Sequence, residues 1–328
     1  MTNGRLEKEL KAEKKMQETL SQLPQIFTEF YYSLRASKKS YTTMTVYIRY
    51  VKNFMDFITH DNPSNDFYKD VSGTDIEQYF ISLETREVNG QIIRMGDSIQ
   101  ATRWSALNTF FDFLVNKKEY LIKNPMSKTD RPSINTDHKV TYLTKIEINK
   151  IMKAIDKNPS TVMAARDRTI VGLALSTGLR VSALTNINLE DIDFDNNVIN
   201  VIEKRQKVRE IQFGIQTKEN LQKWIEIRNK AFGDIDTNAL FISQKKNRIS
   251  VDAIADLLKR YTAEAGIKKN ITPHKLRSSA ATTLAAKGAS IQTIANVLGH
   301  ENINTTMIYI AALDEEKQKA TNILDNMW

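Results

Sequence analysis

Residues 271–310 read ITPHKLRSSAATTLAAKGASIQTIANVLGHENINTTMIYI, and this stretch determines how the second half of the chain is organised. Thr272 is a favourable N-cap and Pro273 suits the first position of a helix, so we predict that a helix begins there. A short amphipathic helix follows and stops at Gly299; its apolar positions are Ile291, Ile294, Val297 and Leu298. The stretch therefore predicts two consecutive helices with polar side chains at their ends.

Two of these polar side chains, His274 and Arg277, are three residues apart in the first turn of the first helix. At that spacing they share one face, and the positive end of the helix dipole favours an anion beside them. Two donors that converge at a helix start are typical of a phosphate site. A capped helix with exposed polar residues gives the same pattern, so this segment alone leaves both interpretations open.

The end of the second helix carries a further pair. His300 follows Gly299 directly, and Tyr309 comes nine residues after His300. A tyrosine among the eleven in this chain is usually a core residue, so neither side chain indicates a function in isolation.

An earlier segment, STGLRVSALTNI at residues 176–187, adds a third cation. Gly178 ends one apolar helix and Arg180 opens the next. An arginine just past a glycine turn, beside exposed backbone N–H groups, is well placed to bind a phosphate. An ordinary helix–helix corner with a surface arginine explains the segment equally well when it is taken alone.

The second half also contains strand-like sequence, IDFDNNVINVIEKRQKVREIQF at residues 192–213. Turns at 196–197 and at the polar tip 203–207 predict a small antiparallel sheet with strands at 198–202 and 208–213. Helical periodicity surrounds it, in the runs 164–176, 217–231, 251–265, 276–287 and 290–298. The fold class is therefore mainly α (α+β), with a mixed second domain over residues 140–312.

The first half is predicted to be a helical domain over residues 22–123. Loops at Asn62-Pro63-Ser64 and Asn89-Gly90 separate some of its helices, and its aromatic stripes are interpreted as core rather than as a base-stacking surface. Residues 1–21 are interpreted as a charged, helical and solvated arm. Residues 124–139, with Pro125 and Pro132, are interpreted as the linker between the domains.

A capping box of Thr144 and Glu147 begins the next helix after this linker.

The amino-acid composition excludes several classes of function. The net charge of +8 favours a polyanionic partner. The chain has no cysteine, which excludes disulfide scaffolds, cysteine nucleophiles, zinc fingers and iron–sulfur sites, and four scattered histidines make a metal site unexpected. No run is long and apolar enough to span a membrane, and the charged N-terminus lacks the apolar core of a signal peptide. We expect a cytoplasmic protein without a membrane partner.

Taken together, these segments resemble the tyrosine recombinases, the family that includes phage integrases and Xer-like site-specific recombinases. That family carries the motifs TGLR-x-S-x-L, HxLR and LGH, and a tyrosine about nine residues after LGH. The matching residues here are Thr177 to Arg180 with Ser182 and Leu184, His274 to Arg277, Leu298 to His300, and Tyr309. The family also places a lysine in a β-hairpin some two dozen residues after the first arginine, where Lys204 stands and Lys207 is the alternative.

The resemblance is strong over residues 140–312, whereas the helical first domain is similar to the family's core-binding domain in pattern only. Two positions depart from the family. Ala183 stands where an acidic residue is usual, which puts in doubt how rigidly Arg180 is held, and Ser278 stands where a histidine is common.

The resemblance implies a mechanism. Tyr309 attacks the scissile phosphate and forms a 3′-phosphotyrosine link; Arg180, Arg277 and His300 hold the nonbridging oxygens. His274 assists removal of the phenol proton, and Lys204 protonates the leaving 5′-oxygen. No metal, ATP or other cofactor is required.

The partners that the resemblance implies are double-stranded DNA recombination sites, with four protomers on two sites. The tail, residues 313–328, reads as a short helix that docks either on its own domain or on a neighbouring protomer, and both remain open. Two rival functions are a helix-turn-helix DNA-binding regulator without enzymatic activity and a type IB topoisomerase. The biological task, integration or excision of a mobile element or resolution of chromosome dimers, also remains open.

Overall fold

The computed structural model describes residues 3–88, 90–133, 140–202, 208–233, 235, 237–300 and 302–325. The chain divides into two compact units, Met1–His138 and Lys139–Trp328. Helices dominate both, and the longer sheet lies in the second unit, so the predicted mainly α class with a small antiparallel sheet is confirmed. Within the described ranges, none of the helices combines the length and the apolar character that crossing a lipid bilayer requires.

The first unit is a helical bundle around an aromatic core. Its elements are α1 (Asn3–Leu20), α2 (Gln25–Ala36), α3 (Tyr41–Thr59), α4 (Gly73–Ser82), β1 (Thr85–Val88), β2 (Gln91–Arg94), α5 (Asp97–Asn116) and a 3-10 turn (Pro125–Lys128). Phe30, Phe54 and Phe110 are fully buried, and the rings of Phe67 and Phe110 stack with centroids 5.7 Å apart. The aromatic stripes therefore form a core, as predicted.

The interpretation of residues 1–21 as a solvated arm is wrong at two positions near its C-terminal end, although the other described side chains there are exposed or half-buried. The segment is helical, but Met16 and Leu20 are buried in the core of the first unit. Glu13 accepts hydrogen bonds from Tyr31 and Arg35. Two apolar residues one turn apart are enough to anchor an otherwise polar helix.

Gly90 lies in a β-hairpin, although Asn89 itself lies outside the described residues. The hairpin consists of β1 and β2, which pair antiparallel from Thr85 opposite Arg94 to Val88 opposite Gln91. Gly90 has φ +76°, a left-handed conformation that glycine adopts without strain. The Asn-Gly pair is a strong hairpin signal, so the strands were detectable in the sequence.

The linker interpretation is wrong for residues 124–129, which belong to the first unit. Met126 is buried in its core, Asn124 donates to Asp112, and Trp104 donates to Thr129. The buried methionine and these hydrogen bonds hold the stretch against the first unit. A free linker would make neither kind of contact. Residues 134–139 lie outside the described residues.

The second unit combines helices with a three-stranded antiparallel sheet. Its elements are α6 (Lys145–Asp156), α7 (Thr161–Thr177), α8 (Val181–Asn186), a 3-10 turn (Leu189–Asp191), β3 (Ile192–Asp193), β4 (Val198–Ile202), β5 (Val208–Gln212), α9 (Ile215–Phe232), α10 (Val251–Glu264), α11 (Pro273–Ala286), α12 (Ile291–Leu298) and α13 (Asn304–Asp325). The predicted capping box of Thr144 and Glu147 is present at the start of α6.

The sheet has the order β3-β4-β5 and is antiparallel throughout, as predicted. Ile199 on β4 lies opposite Ile192 on β3 and Ile211 on β5, and alternate residues of β4 face the core. Trp224 and Leu173 are buried in the same core. The residues between β4 and β5, 203–207, lie outside the described residues.

The predicted tail is not a separate helix. The backbone of α13 is helical from Asn304 to Asp325, so residues 313–325 continue the helix that carries Tyr309. The sequence between 304 and 325 contains neither glycine nor proline, so nothing in it interrupts the helix.

Candidate active site

The corner between α7 and α8 places Arg180. Gly178 ends α7 in the left-handed conformation, with φ +62°, and Arg180 is the N-cap residue of α8. The Arg180 guanidinium is half-buried and donates from Nη2 to the carbonyl oxygen of Gly299 at 3.2 Å. Arg180 is therefore attached to the segment that carries His300, although Ala183 supplies no carboxylate and is buried in the core.

The start of α11 places Arg277 beside the same corner. Pro273 occupies the first turn, as predicted, and Thr272 is the N-cap residue, although its side chain makes no capping hydrogen bond. Arg277 is 2% exposed and donates from Nη1 to the carbonyl oxygen of Gly178 at 2.8 Å. His274 lies at the solvent edge of this turn, and the Ser278 hydroxyl donates back to its carbonyl oxygen.

The segment between α12 and α13 places His300 and Tyr309. Gly299 ends α12 with φ +65°, and the N–H of His300 donates to the carbonyl oxygen of Ala295. The Nδ1 atom of His300 lies 2.8 Å from Oγ1 of Thr306. The rings of His300 and Tyr309 are stacked, with centroids 6.3 Å apart and planes 16° apart.

Tyr309 is 2% exposed. Its ring belongs to a small apolar cluster with Ala281, Ile294 and Leu298, from α11 and α12. The side chain that the motif identifies as the nucleophile is therefore packed inside its own unit in this structure.

The electrostatics of the site favour an anion. Burial, followed by the charges of Arg277 and Arg180, lowers the pKa of His300 to about 4. Partial burial lowers the pKa of His274 as well, and Arg277, Lys275 and Arg180 add to that effect. Burial, together with the same positive potential that would attract a phosphate, thus lowers the pKa of both imidazoles and favours their neutral form.

Arg209 on β5 also belongs to this site, although no sequence pattern identified it. Its guanidinium donates from Nη1 to the carbonyl oxygens of Asn296 and Val297, at 3.1 and 3.0 Å. A Cβ atom on Gly299 would lie 2.8 Å from its Cζ atom. Its charge also contributes to the lowered pKa of His300. No sequence motif signals this role, because the contact joins a strand to a helix end 87 residues later.

The structure thus brings together five of the six residues that the sequence predicts for the site, namely Arg180, His274, Arg277, His300 and Tyr309. Lys204, and its alternative Lys207, lie outside the described residues. Among the residues that are described, no group of three or more histidine, aspartate or glutamate side chains could hold a metal ion.

Comparison with known proteins adds three findings. A family model described as the phage integrase family matches residues 141–316. Tyrosine recombinase XerC of Caldanaerobacter subterraneus subsp. tengcongensis is 31% identical to this chain over 291 residues, which are 85% of this chain and 78% of that protein. Tyrosine recombinase XerC of Leptospira interrogans is 30% identical over 278 residues, which are 84% of this chain and 85% of that protein.

Among solved structures, the post-cleavage complex of the XerH site-specific recombinase with a palindromic difH substrate superposes with a TM-score of 0.70. The match covers 88% of this chain and 82% of that chain, at 19% sequence identity. At 19% identity, this superposition is evidence for a shared fold alone.

Proposed function

This chain belongs to the phage integrase family of tyrosine recombinases, site-specific enzymes that cleave and rejoin DNA, and we propose how its own residues divide that reaction. The observation that carries the proposal is the convergence of Arg180, Arg277 and His300 beside Tyr309. The rival functions of a regulator without enzymatic activity and of a type IB topoisomerase are not favoured by the family relationship.

Tyr309 is the nucleophile of this proposal. Its phenol oxygen attacks the scissile phosphorus, the bond to the 5′-oxygen breaks, and a 3′-phosphotyrosine link and a free 5′-hydroxyl result. Rejoining is the reverse attack by a 5′-hydroxyl from another strand. The link conserves the phosphodiester bond energy, so the exchange needs no ATP.

The oxyanion contacts fall to Arg180, Arg277 and His300. Negative charge builds on the nonbridging oxygens as the phosphorus becomes five-coordinate, and two guanidinium groups and an imidazole N–H stabilise it. Arg277 is buried and bonded to Gly178, so it is already oriented before DNA arrives.

His274 and Lys204 are proposed to transfer the protons of this reaction. The lowered pKa leaves His274 neutral near pH 7, so it can accept the phenol proton during attack. Lys204, or Lys207 in its place, protonates the departing 5′-oxygen.

The buried position of Tyr309 adds a conformational step. Attack requires the phenol oxygen to contact the phosphorus, whereas the Tyr309 ring is packed in an apolar cluster and is 2% exposed. We therefore include in the proposal that the Tyr309 side chain rotates out of this cluster when DNA binds, which exposes the phenol oxygen while the backbone of α13 stays in place.

The proposed partners are two double-stranded DNA sites and further copies of this chain, four in all. The net charge of +8 suits DNA, and the related XerH structure is a complex with its difH substrate. Integration, excision and dimer resolution all use this chemistry, so the proposal covers any of these tasks.

The tail is proposed to dock on a neighbouring copy. A groove of about 780 Å³ runs along α7 in the second unit, with Met152, Leu173 and Leu284 among its lining residues. The tail sequence offers apolar residues at Ile323, Leu324, Met327 and Trp328. The double variant Ile323→Asp, Leu324→Asp and the groove-filling variant Gly172→Leu should both bind single sites normally and fail to form paired complexes in native gels. Intact paired complexes in both variants would contradict this docking.

The test of the function uses duplexes that the protein selects from a random-sequence pool, each then nicked near the centre so that the cleaved end diffuses away. The wild-type chain should form an adduct that survives denaturation, and Tyr309→Phe should bind the same duplex without forming one. Binding without any adduct in the wild type would favour a regulator. An adduct that persists in Tyr309→Phe would keep the reaction class and reject the nucleophile.

A further inference from the structure

The hydroxyl of Thr306 is a buried polar group at the centre of the site. Thr306 is 0% exposed, lies three residues before Tyr309 on α13, and places Oγ1 2.8 Å from Nδ1 of His300. The imidazole therefore meets α13 twice, through this hydrogen bond at its edge and through the stack of its face on the Tyr309 ring. Buried polar atoms need hydrogen-bond partners, and the choice of partner here has a chemical consequence.

The consequence concerns which imidazole nitrogen carries the proton. A neutral imidazole has one N–H, and the partner of one nitrogen determines the state of the other. If the Thr306 hydroxyl donates to Nδ1, the proton sits on Nε2, which can then donate to an anion. If Nδ1–H donates to Thr306, Nε2 presents a lone pair, which a phosphate oxygen would repel.

We propose that Thr306 is a positioning residue of this recombinase: its hydroxyl donates to Nδ1 of His300 and keeps the ring proton on Nε2, available to the scissile phosphate. The inference rests on the oxyanion role proposed for His300. Thr306 and Tyr309 are one turn apart on the same face of α13, so a single helical turn carries the nucleophile and orients the imidazole beside it.

The surroundings of His300 make the tautomer matter. Among the described residues, the titratable and charged groups around the ring come from β5, α11, α13 and the start of α8; they are Arg209, His274, Arg277, Tyr309 and Arg180. Burial and the cationic members of this set hold the pKa of His300 at about 4, so the ring is neutral near pH 7 and has a single N–H to place. A doubly protonated ring would donate from both nitrogens and would need no such orientation.

The first test reads the tautomer directly and needs no DNA. The chain has four histidines, so nitrogen spectra of protein labelled at histidine with 15N can be assigned with single His→Gln variants. His300 should show the Nε2–H tautomer in the wild type and in Thr306→Ser. Thr306→Val, which keeps the shape and removes the hydroxyl, should shift the ring toward Nδ1–H. An Nδ1–H ring in the wild type overturns the inference and leaves the recombinase proposal intact.

The second test measures single-turnover cleavage of the selected, nicked duplex. Thr306→Val should slow cleavage about 10-fold or more, but by less than the ~100- to 1,000-fold expected when an oxyanion donor is removed altogether. Thr306→Ser should restore most of the rate. Thr305→Val is the matched control. The side chain of Thr305 is exposed, so this variant should cleave at the wild-type rate.

Combining the variants separates positioning from packing. Because Thr306 is proposed to act through His300, the double variant Thr306→Val, His300→Phe should cleave no more slowly than His300→Phe alone. The inference would be overturned if the double variant lost the product of the two single-variant rate reductions. A Thr306→Ser variant as slow as Thr306→Val would also overturn it. Absence of cleavage by the wild type would instead overturn the proposed function, and the tautomer measurement would still stand.

Discussion

At the scale of single residues, two glycines allow backbone segments to meet at the site. Gly178 and Gly299 both have positive φ, and both lie against a neighbouring side chain. A Cβ atom on Gly178 would lie 2.5 Å from Cδ2 of Leu298, which is closer than side-chain atoms tolerate. These glycines let α7 and α12 approach closely enough for Arg180 and Arg277 to reach the carbonyls that hold them.

Gly178→Ala should therefore destabilise the protein. Left-handed strain and the clash with Leu298 together cost roughly 2 kcal/mol or more of the free energy of unfolding. Gly172→Ala is the matched control, since Gly172 lies inside α7 with open space where the methyl would go and should be neutral or slightly stabilising. Urea denaturation of both variants measures the difference. Equal stabilities would show that the corner relaxes without strain.

The titration of His300 gives a second residue-scale prediction. Its pKa falls from an ordinary 6.5 to about 4 on folding, so between these pH values the unfolded chain binds a proton that the folded chain does not. The stabilisation from this group is complete above pH ~6.5 and is lost as the pH falls through about 4. The free energy of unfolding should drop less steeply over this window in His300→Phe than in the wild type. Parallel pH profiles would mean that His300 titrates normally in the folded protein.

At the scale of elements, Arg209 ties the sheet to the end of α12. The last carbonyls of a helix carry partial negative charge, and a guanidinium that donates to two of them is a favourable C-terminal partner.

Arg209→Met should lower the free energy of unfolding by about 1–2 kcal/mol and slow cleavage, because two charge-assisted hydrogen bonds are lost. Arg209→Lys should restore part of the loss, since both hydrogen bonds leave one nitrogen and an ammonium group can also donate to two carbonyls, although from a shorter side chain. Arg168→Met is the control: Arg168 bonds to the exposed Asp156, and such surface pairs contribute little. If Arg209→Met and Arg168→Met had the same free energy of unfolding and the same cleavage rate, Arg209 would contribute no more than an ordinary surface cation.

The elements that the sequence predicted correctly and the predicted site residues that the structure brings together share one property: their signals are local. Capping residues, helical periods and the spacing of the LGH motif to Tyr309 can be read within a few turns of chain. Arg209 and Thr306 could not be identified in this way, because their roles depend on partners brought close by folding. The burial of Met16 and Met126 was missed for the same reason, since a single apolar residue in a polar stretch gains significance only from the core it meets.

At the scale of the whole molecule, the charge of +8 predicts strongly salt-dependent DNA binding. Each neutralised phosphate should contribute about −0.9 to the slope of log affinity against log salt concentration. Arg180→Gln should make the slope shallower by about 1, because it removes one phosphate contact, whereas Arg168→Gln should leave it unchanged. Fluorescence anisotropy at several salt concentrations measures the slopes. An unchanged slope in Arg180→Gln would place that guanidinium away from the DNA backbone.

The most direct measurement of the proposed chemistry identifies the amino acid that carries the DNA. The denaturation-resistant adduct is digested with nuclease and protease, and the peptide that retains a nucleotide is sequenced by mass spectrometry. The mechanism predicts a nucleotide joined through its 3′-phosphate to Tyr309, one of eleven tyrosines in the chain. A nucleotide on another residue, or a link through a 5′-phosphate, would contradict it.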